Sequence, residues 1–136
     1  MSVKICRFEA NAHAYIFGYT GANDVTARDL QRQDGQWTQA KSFDTFCPLG
    51  PYIVTGRPPA NIKVKSDVNG ELRQNSSSMQ MVFGYGYLVS YISRIMTLLP
   101  GDVILTGTPG GVGSLVISDR VSVVVGQAGS LENTVV

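Results

Sequence analysis

Asn69-Gly70 stands between two strand-length runs, and no other feature of this 136-residue chain restricts its fold as strongly. Residues 62–68 alternate apolar and polar side chains, with Ile62 and Val64 in step and Val68 after a slip. The tightest hairpin turn needs positive φ at both central positions, which asparagine followed by glycine tolerates best. Residues 71–75 are therefore expected to return as the second strand.

The rest of the chain is cut into short pieces. Residues 12–20 are apolar and aromatic, and read as a buried strand after a short helical lead-in. Residues 25–32 contain good helix formers, with Asn23 or Asp24 available as an N-cap. Residues 42–55, punctuated by Pro48, Gly50 and Pro51, read as an ordered loop running into a strand over 52–55. Leu88, Tyr91, Ile92, Ile95 and Leu99 recur at helical spacing until Pro100-Gly101 stops the run, so a helix is expected there. Residues 103–106 read as a short buried strand, 121–125 as a β-branched strand and 131–136 as a closing strand. The expected class is α+β: mainly β with two or three helices, in one domain over residues 1–136.

Composition narrows the function. A chain of this length can bury roughly two-thirds of its unfolded surface, so a core is expected. Charged residues make up only 15%, a thin coat that implies cover from a further segment or a partner subunit. The net charge is +1 and the basic residues are scattered, so neither nucleic acid nor an anionic membrane is expected as a partner. No apolar stretch approaches a bilayer span, and residues 1–7 lack the features of a signal peptide. Cys6 and Cys47 are too isolated for a disulfide framework or a cysteine-rich zinc site. A reducing cytoplasm fits these features best.

Three segments carry candidate chemistry. In residues 23–31, Asp24 is a hard oxygen ligand suited to Mg²⁺ or Mn²⁺. Arg28 offers a planar fork for a carboxylate, and Gln31, three residues on, shares its helix face. The same residues also read as a capped helix, with Arg28 paired to Asp29 or to solvent. In residues 41–51, Lys41 offers a point charge to a substrate oxygen or a metal-bound carboxylate, or else lays its stem over Phe43 and Phe46. In residues 101–113, glycines permit close backbone approach, and Thr106 or Thr108 can donate a hydroxyl to an oxyanion. The alternative there is a tight strand-to-strand turn. No phosphate-binding lysine follows, so this is not a P-loop.

Together these segments carry a resemblance. Gly18-Tyr19-Thr20 through Asn23-Asp24, Ala27-Arg28-Asp29, Gln36-Trp37, Lys41-Ser42-Phe43-Asp44 and Cys47-Pro48-Leu49-Gly50-Pro51 resemble the fumarylacetoacetate hydrolase family. So do Val68-Asn69-Gly70-Glu71, Met79 with Phe83, and Pro100-Gly101-Asp102 through Thr106-Gly107-Thr108-Pro109. The order and spacing match from about Glu9 to the C-terminus. The resemblance implies a mixed β-roll, dimerisation, and metal-dependent hydrolysis, isomerisation, hydration or decarboxylation of oxo- and diketo-acids. It implies Asp24 as a metal ligand, and Arg28, Gln31, Lys41 and Thr108 as pocket residues, with Lys41 in the catalytic role.

The resemblance also exposes a gap. The family takes two further metal ligands from a Glu-x-Glu pair upstream, and no two acids in this chain stand at that spacing. Glu9 falls where the family has a surface helix, and His13 reads as structural or surface. The expectation is a β-roll lacking its N-terminal strands and lid, with an incomplete Mg²⁺ or Mn²⁺ site. Three forms remain open: an enzyme active when complete, a non-catalytic remnant binding a partner or small anion, and half of a split enzyme awaiting a complementing chain.

Overall fold

The computed structural model describes residues 11–136, so Cys6 and Glu9 lie outside the described residues. Among the described residues six strands and three α-helices follow one another: β1 (Gly18–Ala22), α1 (Arg28–Gln33), α2 (Thr38–Lys41), β2 (Leu49–Thr55), β3 (Lys63–Val68), β4 (Glu71–Ser77), α3 (Tyr85–Ser93), β5 (Arg120–Val125) and β6 (Ser130–Thr134). Short 3-10 turns lie at Ala12–Tyr15 and Ser78–Gln80.

The hairpin forms where the Asn-Gly pair places it. Asn69 and Gly70 adopt φ of 55° and 81°, and Val68 pairs with Glu71 across the turn. The register slips between Ser66 and Asp67: Ser66 faces Gln74 while Asp67 faces Leu72, which leaves Arg73 as an extra residue on β4. Such a bulge bends its strand and releases a backbone group from the ladder. On its other side β3 pairs antiparallel with β5, and β5 with β6, giving the order β4-β3-β5-β6.

β1 and β2 form a separate antiparallel pair. Their backbones run so close that a Cβ on Gly18 would lie 2.3 Å from the Val54 carbonyl oxygen. A Cβ on Gly21 would touch Val125 and Leu131, which places this pair against β5 and β6. Between the layers Val68, Val121, Val123 and Leu131 form a small core, flanked by Leu115, Val125 and Val135.

The turn is also tied to distant chain. The Asn69 amide donates to Asp119 Oδ1 at 2.8 Å, its oxygen accepts from the Arg120 N–H at 2.9 Å, and Asp119 Oδ2 accepts from the Val116 N–H at 2.9 Å. The Val116 bond, then the Asn69 bond, hold the Asp119 carboxyl below the usual carboxylate range; desolvation opposes them less strongly, and the charge of Arg73 adds the smallest pull in their direction. A carboxyl depressed in the folded state contributes stability at neutral pH that is lost as pH falls through its folded value. Asp119→Asn should therefore flatten the acid limb of a melting-temperature-against-pH curve; an unchanged limb would contradict this assignment.

Several expectations need correction. The strand over 103–106 does not form; Val103 and Leu105 are 54% and 44% exposed. The run pairs with none of the six strands, the edge strands β4 and β6 included. The helix expected to run to Leu99 ends at Ser93, continuing only as turn bonds such as Ile95 N–H to Ile92 C=O. Tyr91, Ile95 and Leu99 lie exposed, so their periodicity has no packing to hold the last turns together. The first strand is Gly18–Ala22 rather than residues 12–20, with Tyr15 and Phe17 exposed. The strand after the proline-rich loop starts earlier than expected, at Leu49.

The accessible surface is 9893 Å². A compact monomer of 14.6 kDa would expose about 6,900 Å². Trp37, Tyr52, Leu72, Phe83 and Tyr87 are among the large apolar side chains left exposed. The sizeable core allowed by length and composition is only partly realised.

Candidate functional site

The segment between β1 and α1 is shaped by its backbone bonds. The Asn23 N–H donates to the Pro48 carbonyl at 3.1 Å, and the Ala27 N–H to the Ala40 carbonyl at 2.9 Å. Ala40 on α2 is fully buried against this turn, so the next residue, Lys41, is delivered over it. Lys41 Nζ lies 2.5 Å from Asp24 Oδ2 and 3.0 Å from Thr26 Oγ1. The Thr26 hydroxyl itself donates to the Asp24 carbonyl at 3.1 Å.

This arrangement overturns the capping alternative. The first helix begins at Arg28, and Ala27, which has no capping side chain, occupies its N-cap. The Asp24 carboxylate instead holds the ammonium of Lys41, seventeen residues away in sequence. Nor does Lys41 need the aromatic pair to cover its stem: Phe43 and Phe46 pack against each other, tilted by 58° with centroids 5.4 Å apart. An ammonium has three donors, and two are committed here, which leaves one for a ligand.

Arg28 and Gln31 do share a helix face. Arg28 Nη1 donates to Gln31 Oε1 at 2.7 Å, which orients the guanidinium and leaves most of its donors uncommitted. Beside Lys41 lies a depression of about 480 Å³, lined also by Gly35, Gln36, Trp37 and Thr38 and open to solvent. A depression this open does not exclude water by itself.

Thr108 is held elsewhere. Gln74 Nε2 on β4 donates to Thr108 Oγ1 at 2.9 Å and to the Pro109 carbonyl at 2.8 Å. No bond among the described residues ties Thr108 to the Asp24–Lys41 group. Sequence reading missed Thr26 and Gln74. Thr26 sat inside a segment already singled out; Gln74 becomes visible only once the hairpin register places it opposite Ser66.

The metal expectation meets a shortfall. Among the described residues no group of three or more His, Cys, Asp or Glu side chains gathers to hold an ion. Magnesium requires near-octahedral oxygen coordination, whereas Asp24 is a single carboxylate already paired with an ammonium. These residues by themselves do not fit a resident Mg²⁺ or Mn²⁺. Among the described residues no helix is long and apolar enough to cross a membrane.

This fold recurs in known proteins. Residues 3–136 match the family described as "Fumarylacetoacetate (FAA) hydrolase C-terminal". The 5-carboxymethyl-2-hydroxymuconate delta-isomerase of Mycobacterium smegmatis superposes with a TM-score of 0.90 at 53% identity, over 94% of this chain and 51% of that one. The maleylpyruvate hydrolase of Sphingobium sp. SYK-6 does so with a TM-score of 0.84 at 35% identity, over 99% of this chain and 49% of that one. The rat (Rattus norvegicus) mitochondrial oxaloacetate tautomerase Fahd2a is 52% identical over 104 residues, 74% of this chain and 33% of the relative. The chain belongs to the fumarylacetoacetate hydrolase family, and its mainly β architecture is the fold of these neighbours. It spans about half the length of curated relatives from Methanocaldococcus jannaschii and Archaeoglobus fulgidus, each 54% identical.

Proposed function

We propose that this chain forms the lysine-bearing side of an active centre that moves a proton next to the carbonyl of a small oxo-acid, or breaks a bond there. The observation that carries this reading is the ammonium of Lys41, fixed between Asp24 and Thr26 with one donor uncommitted. Enolisation, and cleavage beside a carbonyl, both build negative charge on the carbonyl oxygen. A cation held in place before the charge develops stabilises that state more than the ground state. Arg28, oriented by Gln31, supplies the fork that receives the substrate carboxylate. Asp24 balances the ammonium and fixes its position; Thr108 offers a hydroxyl from the glycine-rich loop.

Relatives and structural neighbours named as tautomerase, isomerase and hydrolase favour this reaction class, with a dicarboxylic oxo-acid as the first substrate to try. A metal would polarise the same carbonyl, as the family resemblance implies, but its remaining ligands must come from outside the described residues. The same holds for the cover over the open depression. The accessible surface exceeds that of a compact monomer by roughly 3,000 Å², more than the per-partner share of a standard-size interface. A second copy or a complementing chain is the partner this surface calls for.

The test is enol-to-keto conversion of oxaloacetate by the purified chain, in the assembly it forms, with and without Mg²⁺. A saturable rate above the solvent rate that disappears in Asp24→Asn supports the reading. A rate equal to solvent alone, or one indifferent to Asp24, contradicts it.

A further inference from the structure

Gln74 is half-buried on β4 and makes three side-chain bonds, each with a fixed polarity. Its Oε1 accepts from the hydroxyl of Ser66, a buried residue directly opposite on β3, at 2.8 Å. Its Nε2 lies 2.8 Å from the Pro109 carbonyl oxygen and 2.9 Å from Thr108 Oγ1. A backbone carbonyl can only accept, so the amide atom facing Pro109 must be the nitrogen. The reverse orientation would set two acceptor oxygens against each other, which settles the assignment on chemistry.

The consequence falls on Thr108. Gln74 has two amide protons, one spent on Pro109 and the other on Thr108 Oγ1. The threonine oxygen is therefore an acceptor towards Gln74, and its own proton must be donated elsewhere. Thr108 is exposed. The loop that carries it is pinned from the same strand: a Cβ on Gly111 would lie 2.0 Å from the carbonyl oxygen of Arg73, the neighbour of Gln74 and the extra residue of the bulge.

We infer that Gln74 is a positioning residue for the proposed oxo-acid site: by committing the Thr108 oxygen as an acceptor, it sets the Thr108 hydroxyl as a donor to a substrate carboxylate or enolate oxygen. This rests on the reading of the site given above. It adds a specificity element, because a site with a preset donor favours an anionic oxygen over a neutral or donating group. A merely structural glutamine would hold the loop through the same bonds, with no effect of the Thr108 donor on anion binding.

The experiment is calorimetric titration of the full chain with oxalate, for the wild type, Gln74→Glu, Gln74→Met, Thr108→Val, Thr108→Ser and the double variant Gln74→Glu/Thr108→Val, with a thermal melt of each. Gln74→Glu keeps the shape and inverts the polarity, because a carboxylate takes the threonine proton instead of leaving it free. The expected result is a loss of oxalate affinity of about tenfold in Gln74→Glu and in Thr108→Val, the size of one charge-assisted hydrogen bond. Gln74→Met should lose less, since its hydroxyl rotates freely, and Thr108→Ser should retain affinity. The double variant should bind no more weakly than Thr108→Val alone. Losses that add in the double variant, or that track only the melting temperature, overturn the role of Gln74. A wild type that binds oxalate as tightly as Gln74→Glu overturns it too, while leaving the site reading intact. A wild type that does not bind oxalate at all overturns the site reading first.

Discussion

Replacing Lys41 with methionine is expected to lower oxo-acid turnover by roughly 100- to 1,000-fold, the loss typical when one preorganised oxyanion donor is removed. Methionine keeps the length and apolar stem of lysine and removes only the ammonium. Two bonds then disappear together, to Asp24 Oδ2 and to Thr26 Oγ1, and the carboxylate of Asp24 is left uncompensated beside the anionic substrate. The loss should fall mainly on kcat, because the charge that Lys41 meets develops in the transition state. Lys41→Arg should not rescue the enzyme. A bulkier planar guanidinium spreads its donors over a fixed fork instead of the single point from which Lys41 meets both oxygens. Arg28→Met should instead raise KM more than it lowers kcat, since its partner is a carboxylate present in substrate and transition state alike. Steady-state kinetics on the three variants checks this; a Lys41→Met effect confined to KM would contradict the role given to the ammonium.

Gly111→Ala should be the most damaging small substitution outside the charged cluster, at about 2–4 kcal/mol of stability. Two independent costs combine. The residue adopts a φ of +103°, which a side chain disfavours, and its Cβ would meet the Arg73 carbonyl oxygen at 2.0 Å. That oxygen belongs to strand backbone flanked by the paired positions Leu72 and Gln74, so it cannot retreat without breaking the hairpin. A loss of this size corresponds to a fall in melting temperature of roughly 10 °C for a domain of this length. Gly110→Ala is the control, since a Cβ there meets nothing within 4 Å. Chemical denaturation of both variants checks the contrast, and a Gly111→Ala protein as stable as Gly110→Ala would show that the loop does not sit on β4 as described.

The parts of the fold that could be read in sequence are those set by local chemistry. Asn69-Gly70 fixes its hairpin because the two φ values are a property of those two residues. The β-branched run of β5 and the strand before the Asn-Gly turn follow for similar reasons. What failed was pairing and termination. Residues 103–106 have the composition of a strand, but a strand exists only where it pairs, and this run pairs with none of the six. Residues 94–99 keep the spacing of a helix face that nothing among the described residues buries. The bonds from Asn69 to Asp119 and Arg120 reach some fifty residues along the chain, beyond any window of periodicity.

The candidate site was legible in its members rather than its geometry. The sequence singles out Asp24, Arg28, Gln31, Lys41 and Thr108, and the structure joins Asp24 with Lys41 and Arg28 with Gln31. It does not bond Thr108 to either pair. Thr26 escaped notice because a threonine in a turn carries many bland explanations. Gln74 escaped because its partner is thirty-four residues away, and its meaning depends on the direction of its bonds.

The central proposal is that Lys41, Arg28 and Thr108 receive the same small anion. The most direct measurement is a ¹H–¹⁵N NMR titration of the chain with oxalate, following the backbone amides of residues 24, 26, 28, 41 and 108. The account predicts saturable shifts in all five with a single dissociation constant, lost together in Lys41→Met. Shifts confined to one segment, or spread over surface lysines such as Lys63 and Lys65 without saturation, would contradict it.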